Sequence, residues 1–143
     1  MPIGPISRRA ITWRRPSRYQ SSTSSGAGAC SRWARWGFLP SWVKDPRTFS
    51  LLVNARGESV NDKPAFRSAM RRRRCLIPAD GFYEWSDTRR RRPFFVRPKD
   101  GRSIAFAGLW ETWSGPSGEE VDTAAIVTTR SNRQLAAIHD RCR

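Results

Sequence analysis

An α+β fold, a meandering and mostly antiparallel sheet with short helices, is what this sequence predicts, on three observations. Four strand-like runs follow one another between residues 75 and 110. A Lys99-Asp100-Gly101 turn separates the last two of them and reads as a hairpin. Helical patterning is confined to two short stretches, residues 63–70 and the segment after Ser131. A chain of 143 residues and 16.4 kDa is one domain at most.

Residues 1–30 carry Arg8, Arg9, Arg14, Arg15 and Arg18 and no acid, and a Ser/Thr/Gly/Ala tract follows from residue 21. No hydrophobic period is visible there, so residues 1–32 are expected to be a basic, Ser-rich, irregular segment and 33–143 the folded domain. The same composition is that of a mitochondrial transit peptide. Residues 36–42, WGFLPSW, read as a short strand broken by Pro40. Residues 50–54 form a strand candidate around Leu51, Leu52 and Val53. Asp62 is placed to cap a helix over 63–70, with Pro64 tolerated in its first turn and Ala65, Phe66, Ala69 and Met70 as its apolar face. Arginines 71–74 end it. Strands are then expected at 75–78, 81–85, 93–96 and 104–110, a polar loop at 114–120, and a last strand at 123–129. Ser131 with Gln134 makes a capping box for a closing helix, Leu135 and Ile138 inward.

Charge narrows the function classes. Of 27 basic residues only 3 are lysine, against 12 acids, for a net charge of +15 and a pI near 11.5. Arginine forks match phosphate oxygens and stack on bases, so a nucleic-acid partner is the first expectation. GC-rich codon usage explains an arginine bias equally, though not the shortage of acids. No apolar run of about 18 residues is present to span a membrane, and no signal peptide is visible. Cys30, Cys75 and Cys142 lack metal-ligand spacing and read as free thiols, so no metal and no cofactor are expected.

Several residues have chemistry to offer. Glu84, between Tyr83 and Trp85, suits a general acid or base if poorly solvated, and equally an outward-facing strand carboxylate. His139 is the side chain best matched to proton transfer near neutrality, or a structural histidine. Asn54 and Arg56 close a strand, where an amide can orient a reacting group and an Arg can clamp a phosphate, or where both serve a turn. Trp42, after a Pro-Ser turn, is the tryptophan best placed to stack on an unpaired base, the others being core candidates.

Seven segments stand in a fixed order: WGFLPSW (36–42), NARGESV (54–60), KPAFR (63–67), RRCLIPADGFYEW (73–85), FAGLWE (106–111), IVTT (126–129) and IHDR (138–141). Together they resemble the SRAP family, the SOS-response-associated peptidases, also called abasic-site processing proteins. The resemblance implies a compact, barrel-like α+β fold with a basic groove for single-stranded DNA carrying abasic sites. It implies capture of the abasic aldehyde by the amine of an N-terminal cysteine, closed by its thiol into a thiazolidine, with an associated autopeptidase and lyase-like activity. Carried over by motif, Asn54 orients the N-terminal group, Glu84 shuttles protons and His139 protonates the departing sugar oxygen. Arg56 holds a phosphate, Thr128 lines the same pocket and Trp42 contacts DNA. A monomer is expected, cytoplasmic in a bacterium, nucleoid-associated on DNA and without a membrane partner.

The chain departs from the family pattern at both ends. Met1 is followed by Pro2, where the family has cysteine, so no nucleophile is assigned. After IHDR the chain reads Cys142-Arg143, which one dropped base would produce from codons for the family's continuation. Truncation or frameshift at both ends is the expectation. A non-catalytic module for single-stranded DNA is the alternative, and RNA binding through charge alone a third.

Overall fold

The computed structural model describes residues 9–13, 30–86 and 91–142. It is α+β, with one seven-stranded sheet, one two-stranded sheet and one described helix. The large sheet is built from β1 (Arg9–Trp13), β2 (Cys30–Trp36), β3 (Asn54–Arg56), β4 (Arg74–Ala79), β7 (Ile104–Ser114), β8 (Glu120–Arg130) and β9 (Arg141–Cys142). Strands β5 (Phe82–Trp85) and β6 (Pro93–Val96) form a separate hairpin, and α1 spans Pro64–Arg72.

The sheet curls because its path comes back on itself. Neighbours run β2-β1-β4-β7-β8, and β2 then meets β8 again in parallel, Arg35 opposite Thr123 and Trp36 opposite Ala124. Further along β8, β3 takes over as the parallel neighbour, with Asn54 opposite Ile126 and Arg56 opposite Thr128. The family-like barrel expected from sequence is therefore present as a curled, mostly antiparallel sheet.

Residues Thr123, Ala124, Ala125 and Ile126 of β8 are all buried, because both faces of the sheet are covered there. Inside the curl Ala124 and Ile126 pack with Ala34, Cys75, Ile77 and Phe106. On the outside Ala125 and Leu109 pack with Phe38, Ala55, Val60 and the helix residues Phe66 and Ala69. Gly108 lets β4 side chains pack close within the curl: a Cβ there would stand 2.6 Å from Ile77 Cδ1 and 2.9 Å from Cys75 Sγ.

The apolar face expected for the helix is the one it buries, Phe66 and Ala69 fully and Ala65 and Met70 in part. Its cap differs. Lys63, not Asp62, occupies the N-cap position and makes no side-chain cap bond, and the Arg67 guanidinium donates to the Asn61 and Asp62 carbonyls. At the other end Arg73 donates to Glu111 Oε2 at 2.6 Å and to Ser68 Oγ, tying the helix exit to β7. Burial raises the Glu111 carboxyl above its ordinary value, opposed by the Arg73 charge and by hydrogen bonds from Arg73, Thr112 and Ser41.

Other expectations are corrected by long-range pairing. The N-terminal segment read as irregular contributes β1, paired along its length with β2, and Cys30 already opens β2. The rest of residues 1–29 lies outside the described residues. Of residues 50–54 only Asn54 lies in a strand, as the first residue of β3: Leu52 bridges Phe38 alone, and Leu51 folds against Gly37, whose φ of +117° only glycine adopts readily. The turn at Lys99 does not join paired strands, since β6 pairs with β5 while β7 pairs with β4 and β8. The loop at 114–120 is instead the tip of the β7–β8 hairpin, with Ser114 opposite Glu120. The closing helix is a run of turns: Asn132 Oδ1, not Ser131, accepts from the backbone of Gln134 and Leu135. The Ser131 N–H is spent on the Asp140 carbonyl, which closes the segment as a loop.

Candidate functional site

Asn54 begins β3, the short strand seated beside β8 at the mouth of the curl. Alternation sends Ala55 into the core under α1, so Asn54 and Arg56 share the opposite face and are both exposed. Beside Asn54 a cleft of about 380 Å³ opens, floored by Ile77, Phe106 and Ile126 and walled by Trp36, Phe82 and Tyr83. The β5–β6 hairpin forms its far wall, and Gly81 lies where its two segments close on each other: a Cβ there would lie 2.5 Å from the Val96 carbonyl of β6. This floor is apolar, with Asn54 the amide at its edge.

Glu84 lies on the hairpin that forms this wall. Phe82 and Glu84 share one face of β5, as alternation predicts, and that face points inward: Phe82 stacks edge-on against Phe106 at 5.6 Å, and Glu84 is buried. The outward-facing reading of Glu84 is therefore wrong. Phe82 and Tyr83 line the cleft, whereas Glu84 is set behind them in the hairpin.

His139 follows the run of turns and is half-buried. The Arg141 backbone N–H donates to its Nδ1 at 3.1 Å. When Nδ1 accepts that bond the neutral ring carries its proton on Nε2; the charged ring carries a proton on both nitrogens, and that form is the one able to give a proton up. The Asp140 carboxylate stands 3.2 Å from the same Nδ1 and becomes its partner when the ring is charged. Arg141 itself is held by three contacts from its Nη2: Glu58 Oε2 at 2.9 Å, and the carbonyl and hydroxyl of Thr128, each at 3.2 Å. Thr128 is buried, and its hydroxyl serves as an acceptor for Arg141. It also lies opposite Arg56 in the β3–β8 register.

The structure thus brings Asn54, Arg56, Thr128 and, through Arg141, His139 to one end of β3, β8 and β9. It keeps Glu84 buried in the hairpin that walls the cleft, outside the cleft lining, and it leaves Trp42 apart. That ring is exposed and packs edge-on against Phe49 at 5.7 Å, over the Leu39, Val43 and Trp113 cluster. The roles that sequence reasoning missed belong to Glu58 and Arg141. Both stand in motifs already singled out, and their opposite charges in NARGESV and IHDR were the available signal.

Cys75 is no nucleophile here. Its side chain is in the core, and burial pushes its thiol up to about 12. In the unfolded chain the thiol ionises near 9.0, so the folded form holds its proton longer. Its contribution to stability is complete below pH 9 and falls as pH rises toward 12, by up to about 1.4 kcal/mol per pH unit. Urea titrations of the chain and of Cys75→Ala between pH 8 and 10.5 should diverge with that sign; parallel curves would refute it. Among the described residues no group of three or more His, Cys, Asp or Glu could hold a metal ion, and no helix is long and apolar enough to cross a membrane.

A comparison with family models matches residues 7–143 to the SRAP family, "SOS response associated peptidase". The chain is 42% identical over 109 residues to the abasic site processing protein YoqW of Bacillus subtilis (strain 168), covering 75% of this chain and 49% of YoqW. It is 31% identical over 138 residues to the abasic site processing protein HMCES of Rattus norvegicus, covering 75% of this chain and 39% of that protein. The chain therefore spans about half the length of YoqW, and less of HMCES. A crystal structure of a protein from Bordetella bronchiseptica superposes with a TM-score of 0.75 over 92% of this chain and 65% of that one, at 23% identity, a likeness of fold.

Proposed function

The chain belongs to the SRAP family, and on that premise we propose that it binds single-stranded DNA at an abasic site and holds the ring-opened sugar for covalent capture by an amine. The observation that carries this reading is the cleft with Asn54 at its edge, adjoined by the cluster of Arg56, Thr128, Arg141 and His139. Imine formation needs a base to take the amine's proton and an acid for the departing oxygen. We assign the first to Glu84, behind the cleft wall, and the second to the imidazolium form of His139, which becomes neutral as it gives up its proton, while Asn54 orients the attacking group and Arg56 neutralises a flanking phosphate. Trp42 holds the strand further out. Thiazolidine closure and autopeptidase activity require a cysteine next to Met1, where this chain has Pro2.

A non-catalytic module for single-stranded DNA is the second reading, favoured by the buried Cys75. A denaturing gel decides between them. The protein is mixed with a single strand carrying one abasic site, with and without borohydride, beside a version bearing Pro2→Cys, Ile3→Gly and Gly4→Arg. The capture reading expects a borohydride-dependent band from the chain, through an iminium formed by the secondary amine of Pro2 once Met1 is removed, and a heat-stable band from the cysteine version. No band from either would refute it and leave the binding module.

A further inference from the structure

The outer face of the β5–β6 hairpin carries a row of rings that neither the core nor the proposed chemistry uses. Tyr83 lies opposite Phe95, and Trp85 opposite Pro93, so these four side chains share one face. Tyr83, Trp85 and Phe95 are 57%, 46% and 49% exposed. The Tyr83 and Phe95 rings contact each other at 5.0 Å between centroids, which holds them as one surface. Both also line the cleft, so the row begins at the cleft mouth and runs outward from it.

The surroundings of this face are basic. Residues 81–99 contain six basic side chains, Arg89 to Arg92, Arg97 and Lys99, against two acids, Glu84 and Asp87. Glu84 is buried, whereas Arg91, Arg92, Arg97 and Lys99 are exposed. Rings and arginines also mark protein interfaces, but six basic side chains against two acids around this face match a polyanion in charge. Rings bordered by arginines match a polyanion whose own faces are aromatic.

We propose that the outer face of the β5–β6 hairpin is a stacking platform for the unpaired bases next to the lesion. This rests on the abasic-site reading of the cleft for the register of the strand. A base beside an abasic site has lost its neighbour on one side, and an aromatic side chain at the cleft mouth fills that vacated stack. The flanking arginines hold the phosphates, and the platform takes any base, because every base presents a π face.

The test is reversible binding, with no covalent step. Fluorescence anisotropy compares the full chain on a short oligothymidylate and on a strand of the same length made of tetrahydrofuran sites, which has the phosphates but no bases. At one fixed salt concentration the base-bearing strand should bind about 10-fold tighter. The double variant Tyr83→Leu/Phe95→Leu keeps the apolar bulk and removes the rings. It should lose most of that preference, read as the ratio of the two affinities, because both rings also line the cleft and the affinity for the baseless strand alone is not a neutral reference. Equal binding of the two strands by the unaltered chain would overturn the proposal, and that comparison depends on no variant folding. A preference retained by the double variant would overturn it too. So would self-association in sedimentation that the double variant abolishes, since the face would then belong to a second copy. A chain that prefers bases but yields no adduct sinks the capture reading alone; an adduct without base preference sinks the platform alone.

Discussion

Glutamine in place of Glu84 slows adduct formation by about 100-fold, measured as the single-turnover rate on an abasic single strand. The background for this assay is the version with cysteine at position 2. Glutamine keeps the shape of the side chain and its hydrogen-bonding reach but cannot accept the proton of an attacking amine. Glu84 sits on the buried face of β5 beside Phe82, which packs on Phe106, so the hairpin fixes where the carboxylate lies. Because the change leaves the outer face of the hairpin and Arg56 untouched, affinity for the strand stays within about twofold, a loss confined to the chemical step. An unchanged rate would remove Glu84 from the reaction. A rate and an affinity that fall together would make it a structural residue.

Alanine at Glu111 costs about 3 kcal/mol of stability, the second large effect, because it strands the Arg73 guanidinium beneath the helix exit. Arg73 is three-quarters buried, and Glu111 is the acid it meets, at 2.6 Å. The double change Arg73→Met/Glu111→Leu should recover most of the loss, since the pair gains little over apolar side chains of similar volume. Urea unfolding measures both, and a double variant no more stable than Glu111→Ala would refute the account. The sign of the pH dependence is fixed as well. The folded carboxyl titrates above its ordinary 4.5, so the folded chain takes up the proton first as pH falls. Relative to Glu111→Gln, the unaltered chain therefore becomes more stable as pH drops from neutral toward 4.5, the reverse of acid unfolding.

Local pattern carried much of this fold. The strand expected at 93–96 is Pro93–Val96, and the runs at 75–78, 81–85 and 104–110 fall within or across β4, β5 and β7. The helix buries the face its sequence marks. Pairing between distant segments was not legible, because it depends on partners and not on composition. Strand β1 is Arg-Ala-Ile-Thr-Trp in a basic tract, and only β2 and β4 on either side make it a strand. The loop at 114–120 looked like a break because Gly115, Pro116 and Gly118 form a tip, while Trp113 and Val121 continue the ladder beneath it.

The candidate site divides in the same way. Asn54, Glu84 and His139 could be named from residue chemistry and family motifs. Which face of β5 carries Glu84 inward depended on Phe82 finding Phe106 across the cleft. What holds His139 depended on Glu58 and Arg141, which are 83 residues apart.

The central claim is that the lesion sits between Asn54 and His139. His139 is the only histidine in the chain, so its ring proton signals in a nuclear magnetic resonance spectrum need no assignment. The measurement is a titration of the unaltered protein with a single strand bearing one tetrahydrofuran site, beside the same strand undamaged. The account predicts that the His139 signals move with the lesion-bearing strand and move much less with the undamaged one. Equal shifts with both strands, or none with either while binding is saturated, would contradict it.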